Sequence, residues 1–165
     1  THILGISAYY HDSAAAILRD GEILAAAQEE RFSRIKGDSA FPHHAVDFCL
    51  EQAGVSENDV DHVVYYENPL VKFERLMMIY HLTAPWSLKS FLQSFPKWLT
   101  TNLWLENVIQ SELGTGRRIS LGDHHLSHAA SAFFPSPFES AAILTIDGVG
   151  EWSTATFGVG QCMGR

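Results

Sequence analysis

With 165 residues, 46% of them hydrophobic and 18% charged, the chain is long enough to bury a core and too apolar to be intrinsically disordered. Its formal net charge is −8 and it has no lysine/arginine block, which argues against nucleic acid as a partner of its surface. The two cysteines, Cys49 and Cys162, are far apart and have no metal-type spacing, as in a protein of a reducing compartment.

Residues 2–8, HILGISA, form a near-continuous apolar run that predicts a strand buried on both faces, with no charged and apolar leader before it. A YYHDS turn follows, then a second strand over 13–19, an Asp20–Gly21 hairpin signal and a third strand over 22–28. Three strands joined by short turns predict an antiparallel meander. The segment FPHHAVDFCLEQAG has apolar residues at 45, 46, 48, 49, 50 and 53 and stops at Gly54, the pattern of an amphipathic helix with its cap. A fourth strand is expected over 61–67.

Residues 70–113 are rich in Trp, Phe, Leu and Met and read as two or three inserted helices, broken at Pro85 and Pro96. Those prolines, with Lys89 and Lys97, also interrupt any membrane span there. A strand at 117–123 and a helix at 124–134 come next, closed by the PSP at 135–137. Residues 141–160 then repeat the plan of residues 2–21: apolar strand, polar turn with an aspartate, small-residue strand, glycine turn. This echo predicts a duplicated β-β-β-α-β-α unit, with a first lobe over 1–140 that carries a helical insertion at about 70–115. The second copy would begin at 141–165. A chain that stops directly after a strand-like run is expected to be part of a longer polypeptide.

Several residues carry chemistry. His124 and His128 are four apart, so a helix places both imidazoles on one face, close enough to share a cation, while His125 is turned about 100° away. Helix capping by these histidines is the alternative. Asp147 ends an apolar strand and is followed by Gly148 and Gly150, a setting that projects a carboxylate into a cleft and lets a phosphate approach the backbone. An ordinary Asp-Gly turn fits the same pattern. Two histidines and an aspartate suit iron(II) or another divalent transition metal, zinc and manganese included. In the first turn His11 could move a proton, Asp12 could orient it, and Ser13 could bind a ligand. Glu29, Glu30, Arg31, Arg34 and Lys36 leave the third strand together, as phosphate-binding cations or as a solvated loop. Aromatics in 70–104 suit a pocket wall or a core.

Taken in order, ILGISAYYHDSAAAIL, EERFSRIKG, HHLSHAASAFF and ILTIDGVGEW resemble the N-terminal part of the nodulation-type and antibiotic O-carbamoyltransferases. The resemblance spans essentially the whole chain apart from the region near 70–115. It implies a ribonuclease H-like unit of the duplicated actin/hexokinase/chaperone fold and kinship with the tRNA threonylcarbamoyl-transfer proteins. It implies transfer of a carbamoyl group from carbamoyl phosphate, through a carbamoyl-adenylate made with ATP, to a small hydroxyl acceptor. By motif position it makes His124, His128 and Asp147 ligands of an iron-type metal, with a further aspartate ligand beyond Arg165. It places His11 in the transfer site and Lys36 against the nucleotide or acceptor.

A sugar-kinase-like or chaperone-like ATPase, a tRNA-modifying relative and an interaction domain with structural histidines are the competing readings. The first has no need of HxxxH, and acidic charge fits a polyanion poorly. A cytoplasmic protein without a membrane partner is expected. Its apolar inter-lobe face, left uncovered in a chain of this length, is expected to drive homodimerisation or swapping.

Overall fold

A computed structural model of the chain describes residues 1–100, 102–148 and 150–162. It is a mixed α/β structure that divides into two compact units, residues 1–66 with 105–121, and residues 67–104 with 122–165. Among the described residues no helix is long and apolar enough to cross a membrane.

The first unit is built on a five-stranded sheet ordered β3-β2-β1-β4-β5. Its strands are β1 (His2–Ser7), β2 (Ala14–Arg19), β3 (Glu22–Gln28), β4 (His62–Tyr65) and β5 (Ile119–Leu121). The first three form the expected antiparallel meander, and β4 and β5 add in parallel on the other side of β1. The β2–β3 turn needs two left-handed residues, and Asp20 (φ 51°) and Gly21 (φ 89°) supply them. Pairing passes from Ile17↔Ala25 to Leu18↔Ile23, so Leu24 is the extra residue of a bulge.

Alternate strand residues bury one face. Leu4, Ile6, Ala15, Ile17, Val63, Tyr65 and Ile119 join a single core with Ala45, Val46, Cys49 and Leu50 of α2 (His43–Ala53) and Ile109 of α5 (Leu105–Glu112). The expectation that β1 is buried on both faces is therefore corrected: Ile3, Gly5 and Ser7 are only half-buried. The glycine stop of α2 is present, with Gly54 at φ 67°.

The start of α2 shows a use of Glu29 that charge patterning did not suggest. Its N-cap, Pro42, has no capping side chain. Instead the buried Glu29 carboxylate accepts from the backbone N–H of Ala45 at 2.9 Å and from the His44 ring at 2.5 Å. A carboxylate there meets the unpaired N–H groups and positive end of the helix. The same bond raises the His44 pKa above its ordinary value. Glu30, the first residue of the one-turn helix α1 (Glu30–Ser33), accepts from the Gly37 backbone N–H at 3.0 Å.

The second unit begins with α3 (Pro69–Leu82), capped by the Asn68 side chain on Leu70 N–H, and α4 (Leu88–Thr100). Pro85 falls between these helices as expected, but Pro96 lies inside α4 and does not break it. Proline removes one helical hydrogen bond and costs about 3 kcal/mol in a helix interior. Ring contacts of Phe95 and of Trp98 with Phe73 of α3 (6.2 and 5.6 Å between centroids) lie on either side of the proline and hold the helix there.

The unit continues with α6 (His124–Phe133) and the antiparallel pair β6 (Ser140–Ile146) and β7 (Ala155–Gln161). The buried strand expected at 141–147 is half right: it is a strand, but only Thr145 in it is buried. A two-stranded sheet with one helix against it covers a single face, and Leu144 remains 67% exposed.

Candidate functional site

Asp123 starts α6 by accepting from Leu126 N–H at 2.7 Å, so it, and not a histidine, caps this helix. The three histidines are thereby released for other contacts, and they divide as the helical period requires. His124 and His128 come together on one side, with their Nε2 atoms 3.2 Å apart. Asp147, at the end of β6, brings Oδ2 to 2.6 Å from His124 Nε2 and 3.8 Å from His128 Nε2. One ligand atom from each residue lies within 4.8 Å of the others. The bond from His124 is the main reason the Asp147 carboxyl titrates below its ordinary value.

His125 points elsewhere and ties the site together. Its Nε2–H donates to the Ser153 carbonyl at 2.6 Å, which leaves Nδ1 to accept from the Thr145 hydroxyl at 2.7 Å. Thr145 in turn is 2.6 Å from Thr156 Oγ1 on β7. One buried imidazole thus joins the first turn of α6, the helix of the two histidine ligands, to Thr145 on β6 and to the Ser153 backbone. The loop backbone closes around it: a Cβ on Gly150 would lie 2.3 Å from the Ser153 carbonyl oxygen and 2.6 Å from His125 Nε2.

The residues fit a divalent transition metal. Two imidazole nitrogens and a carboxylate form a borderline donor set that suits iron, zinc or manganese. His124 is buried and Asp147 partly so, whereas the His128 side chain is 51% exposed and leaves an approach from solvent. Gly148 N–H is 2.6 Å from Asp147 Oδ1, and nothing lies within 4 Å of the place its Cβ would take.

The remaining candidates lie in the first unit. His11 Nδ1 and Asp12 Oδ2 are 2.7 Å apart, on side chains more than half exposed. Their turn is held by backbone bonds from Tyr9 N–H to the Ser39 carbonyl and from Ser13 N–H to the Asp38 carbonyl, both shorter than 3.0 Å. The turn and the 34–39 segment are therefore neighbours, as separate sequence motifs could only suggest. Arg31 and Lys36 are exposed. Ser13 is fully buried, so its hydroxyl does not face a ligand from solvent.

Two buried carboxylates of the second unit escaped the sequence reading. Glu67 places Oε2 3.4 Å from His124 Nδ1, and Glu151 accepts from the Asn68 backbone N–H. Glu67 follows the apolar strand HVVY, the same signal that singled out Asp147.

These features define an α/β protein with a two-histidine, one-aspartate candidate metal centre. Residues 2–164 match the family described as carbamoyltransferase N-terminus, and the chain belongs to that family. It is 53% identical over 98% of its length to the uncharacterized protein sll1178 of Synechocystis sp., of which it covers 28%. It is 38% identical over 93% of its length to the nodulation protein NolNO of Sinorhizobium fredii, of which it covers 22%. The chain thus spans about a quarter of the length of these two relatives.

Proposed function

We propose that the protein carrying this chain transfers a carbamoyl group from carbamoyl phosphate, by way of a carbamoyl-adenylate made with ATP, to the hydroxyl of a small acceptor. The observation that carries the reading is the convergence of His124, His128 and Asp147 in a member of the carbamoyltransferase family. The sheet order β3-β2-β1-β4-β5, an antiparallel meander extended by two parallel strands, supports a ribonuclease H-like unit.

His124 and His128, through Nε2, and Asp147 would hold a divalent metal, iron(II) by the family resemblance. Such an ion supplies Lewis-acid stabilisation of phosphate oxygens and of charge developing on them. The other steps belong to the chain. With Nδ1–H donated to Asp12, His11 keeps its Nε2 lone pair and takes the acceptor's proton as the hydroxyl oxygen attacks the carbamoyl carbon. The carbon–oxygen bond to the adenylate breaks and AMP leaves. Asp12 fixes the tautomer and steadies the imidazolium that forms. Arg31 and Lys36 are the exposed cations offered to the nucleotide phosphate.

The test is elemental analysis of the whole protein, purified without a histidine tag, beside the His124→Ala/His128→Ala double variant. Stoichiometric iron or another divalent metal, lost in the double variant, is the expected result. Metal content unaffected by the double substitution would remove the cluster from the site.

A further inference from the structure

We propose that Glu67 is a positioning residue for the metal centre: its carboxylate, which faces His124 Nδ1 at 3.4 Å, takes up the Nδ1–H when Nε2 turns its lone pair to a metal at the point shared with His128 and Asp147. The inference rests on the metal reading of the cluster and deepens it. Imidazole has two nitrogens, and a ring that ligates through one must carry its proton on the other. His124 has acidic groups on both edges: Asp147 Oδ2 lies 2.6 Å from Nε2, and Glu67 Oε2 lies 3.4 Å from Nδ1. Glu67 is on the far edge, outside the cluster of candidate ligands.

Glu67 is set for that task by its surroundings. It is 7% exposed, and a buried carboxylate needs compensation. Lys72 provides it, with Nζ 3.0 and 3.3 Å from the two carboxylate oxygens. Lys72 sits on the first turns of α3, and Glu67 immediately precedes the Asn68 cap of that helix. Helix α3 therefore fixes the carboxylate, the carboxylate fixes the ring, and the ring aims Nε2. A carboxylate on the outer nitrogen also makes the imidazole a stronger donor to a metal.

The experiment titrates the metal-free whole protein with zinc(II) alone, comparing wild type, Glu67→Ala, Glu67→Gln and His128→Ala. Loss of such an outer partner typically weakens metal binding about 10–100-fold, and that is the effect expected for Glu67→Ala. Glu67→Gln, whose amide oxygen is an acceptor for Nδ1–H but carries no charge, should bind zinc more tightly than the alanine variant but several-fold more weakly than wild type. Glu67→Gln also takes from Lys72 its ion-pair partner and should lower the thermal midpoint of the metal-free protein, so the zinc affinity of the folded variant, and not its midpoint, is the deciding readout. Wild-type zinc affinity in Glu67→Gln overturns the inference, and this variant decides if Glu67→Ala does not fold. In that case His128→Ala, by losing zinc, leaves the cluster standing. A wild-type protein that takes up no zinc overturns both.

Discussion

At the scale of single residues, the histidines divide by what their neighbours permit. His125, with both nitrogens bonded and the ring buried, joins elements together. His124 and His128 turn their Nε2 atoms toward one another and toward a carboxylate, within hydrogen-bond reach and in the arrangement that the proposed metal would share. His11 differs from both: exposed, paired with one aspartate, and carried by a turn in which Tyr9 and Asp12 both have positive φ. An exposed imidazole on such a turn is open to a substrate, as the proposed mechanism requires of its base. On the proposed mechanism His11→Ala should leave the fold intact and lower carbamoyl transfer by the whole protein about 10²–10⁴-fold, the usual worth of a proton-transfer group. Turnover assays and circular dichroism on the same preparation check this, and wild-type turnover would remove His11 from the mechanism.

At the scale of elements, the 147–154 loop shows why two glycines two residues apart have different duties. Gly150 faces His125 and the Ser153 carbonyl with no room for a methyl group, whereas the Cβ of a residue at 148 would meet open space. Gly150→Ala should lower stability by about 1–3 kcal/mol, the ordinary cost of overpacking. Gly148→Ala should leave the thermal midpoint unchanged and weaken nucleotide binding if a phosphate approaches the backbone there. Thermal melts of both variants, with nucleotide titration of the second, separate the two roles. Equal destabilisation would mean the loop does not pack as described. The sequence could not rank these glycines, because what distinguishes them is a histidine 25 positions earlier in the chain.

Elsewhere the elements were more legible. The meander, its Asp-Gly turn and α2 all follow from local signals: alternation, a turn dipeptide, a glycine stop. The pairing of β4 and β5 in parallel with β1 and with each other was not readable, since parallel neighbours carry no turn between them. The continuity of α4 through Pro96 was missed because aromatic packing on Phe73 of α3 overrode a helix breaker. Within the site, HxxxH and the strand-end aspartate were visible as motifs. Glu67 was visible by the same strand-end rule but lacked any neighbour in sequence to give it a role, and Glu29 was hidden among charges that suggested a solvated loop.

At the scale of the whole molecule, the second unit leaves a large apolar surface uncovered among the described residues. One face of the β6–β7 pair carries Leu144 opposite Phe157 and Ala142 opposite Val159, and Phe157 is 91% exposed. Both strands also keep one edge without a strand partner, so backbone N–H and C=O groups lie beside that apolar face. Burying such a face contributes about 25 cal/mol for each Å² removed from water, and a second copy of the hairpin offers the same residues in return. The 165-residue chain, prepared by itself, should therefore associate with its own kind at micromolar concentrations, as dimers or larger species in sizing with light scattering. Phe157→Lys combined with Val159→Lys should shift it to monomer, because two ammonium groups on that face cannot be desolvated without partners. Strict monomer for the unsubstituted chain would show that the hairpin is covered in solution by other parts of the same molecule. Association that persists unchanged in the double-lysine variant would place the contact on another surface, with the aromatic helices α3 and α4 the next to substitute.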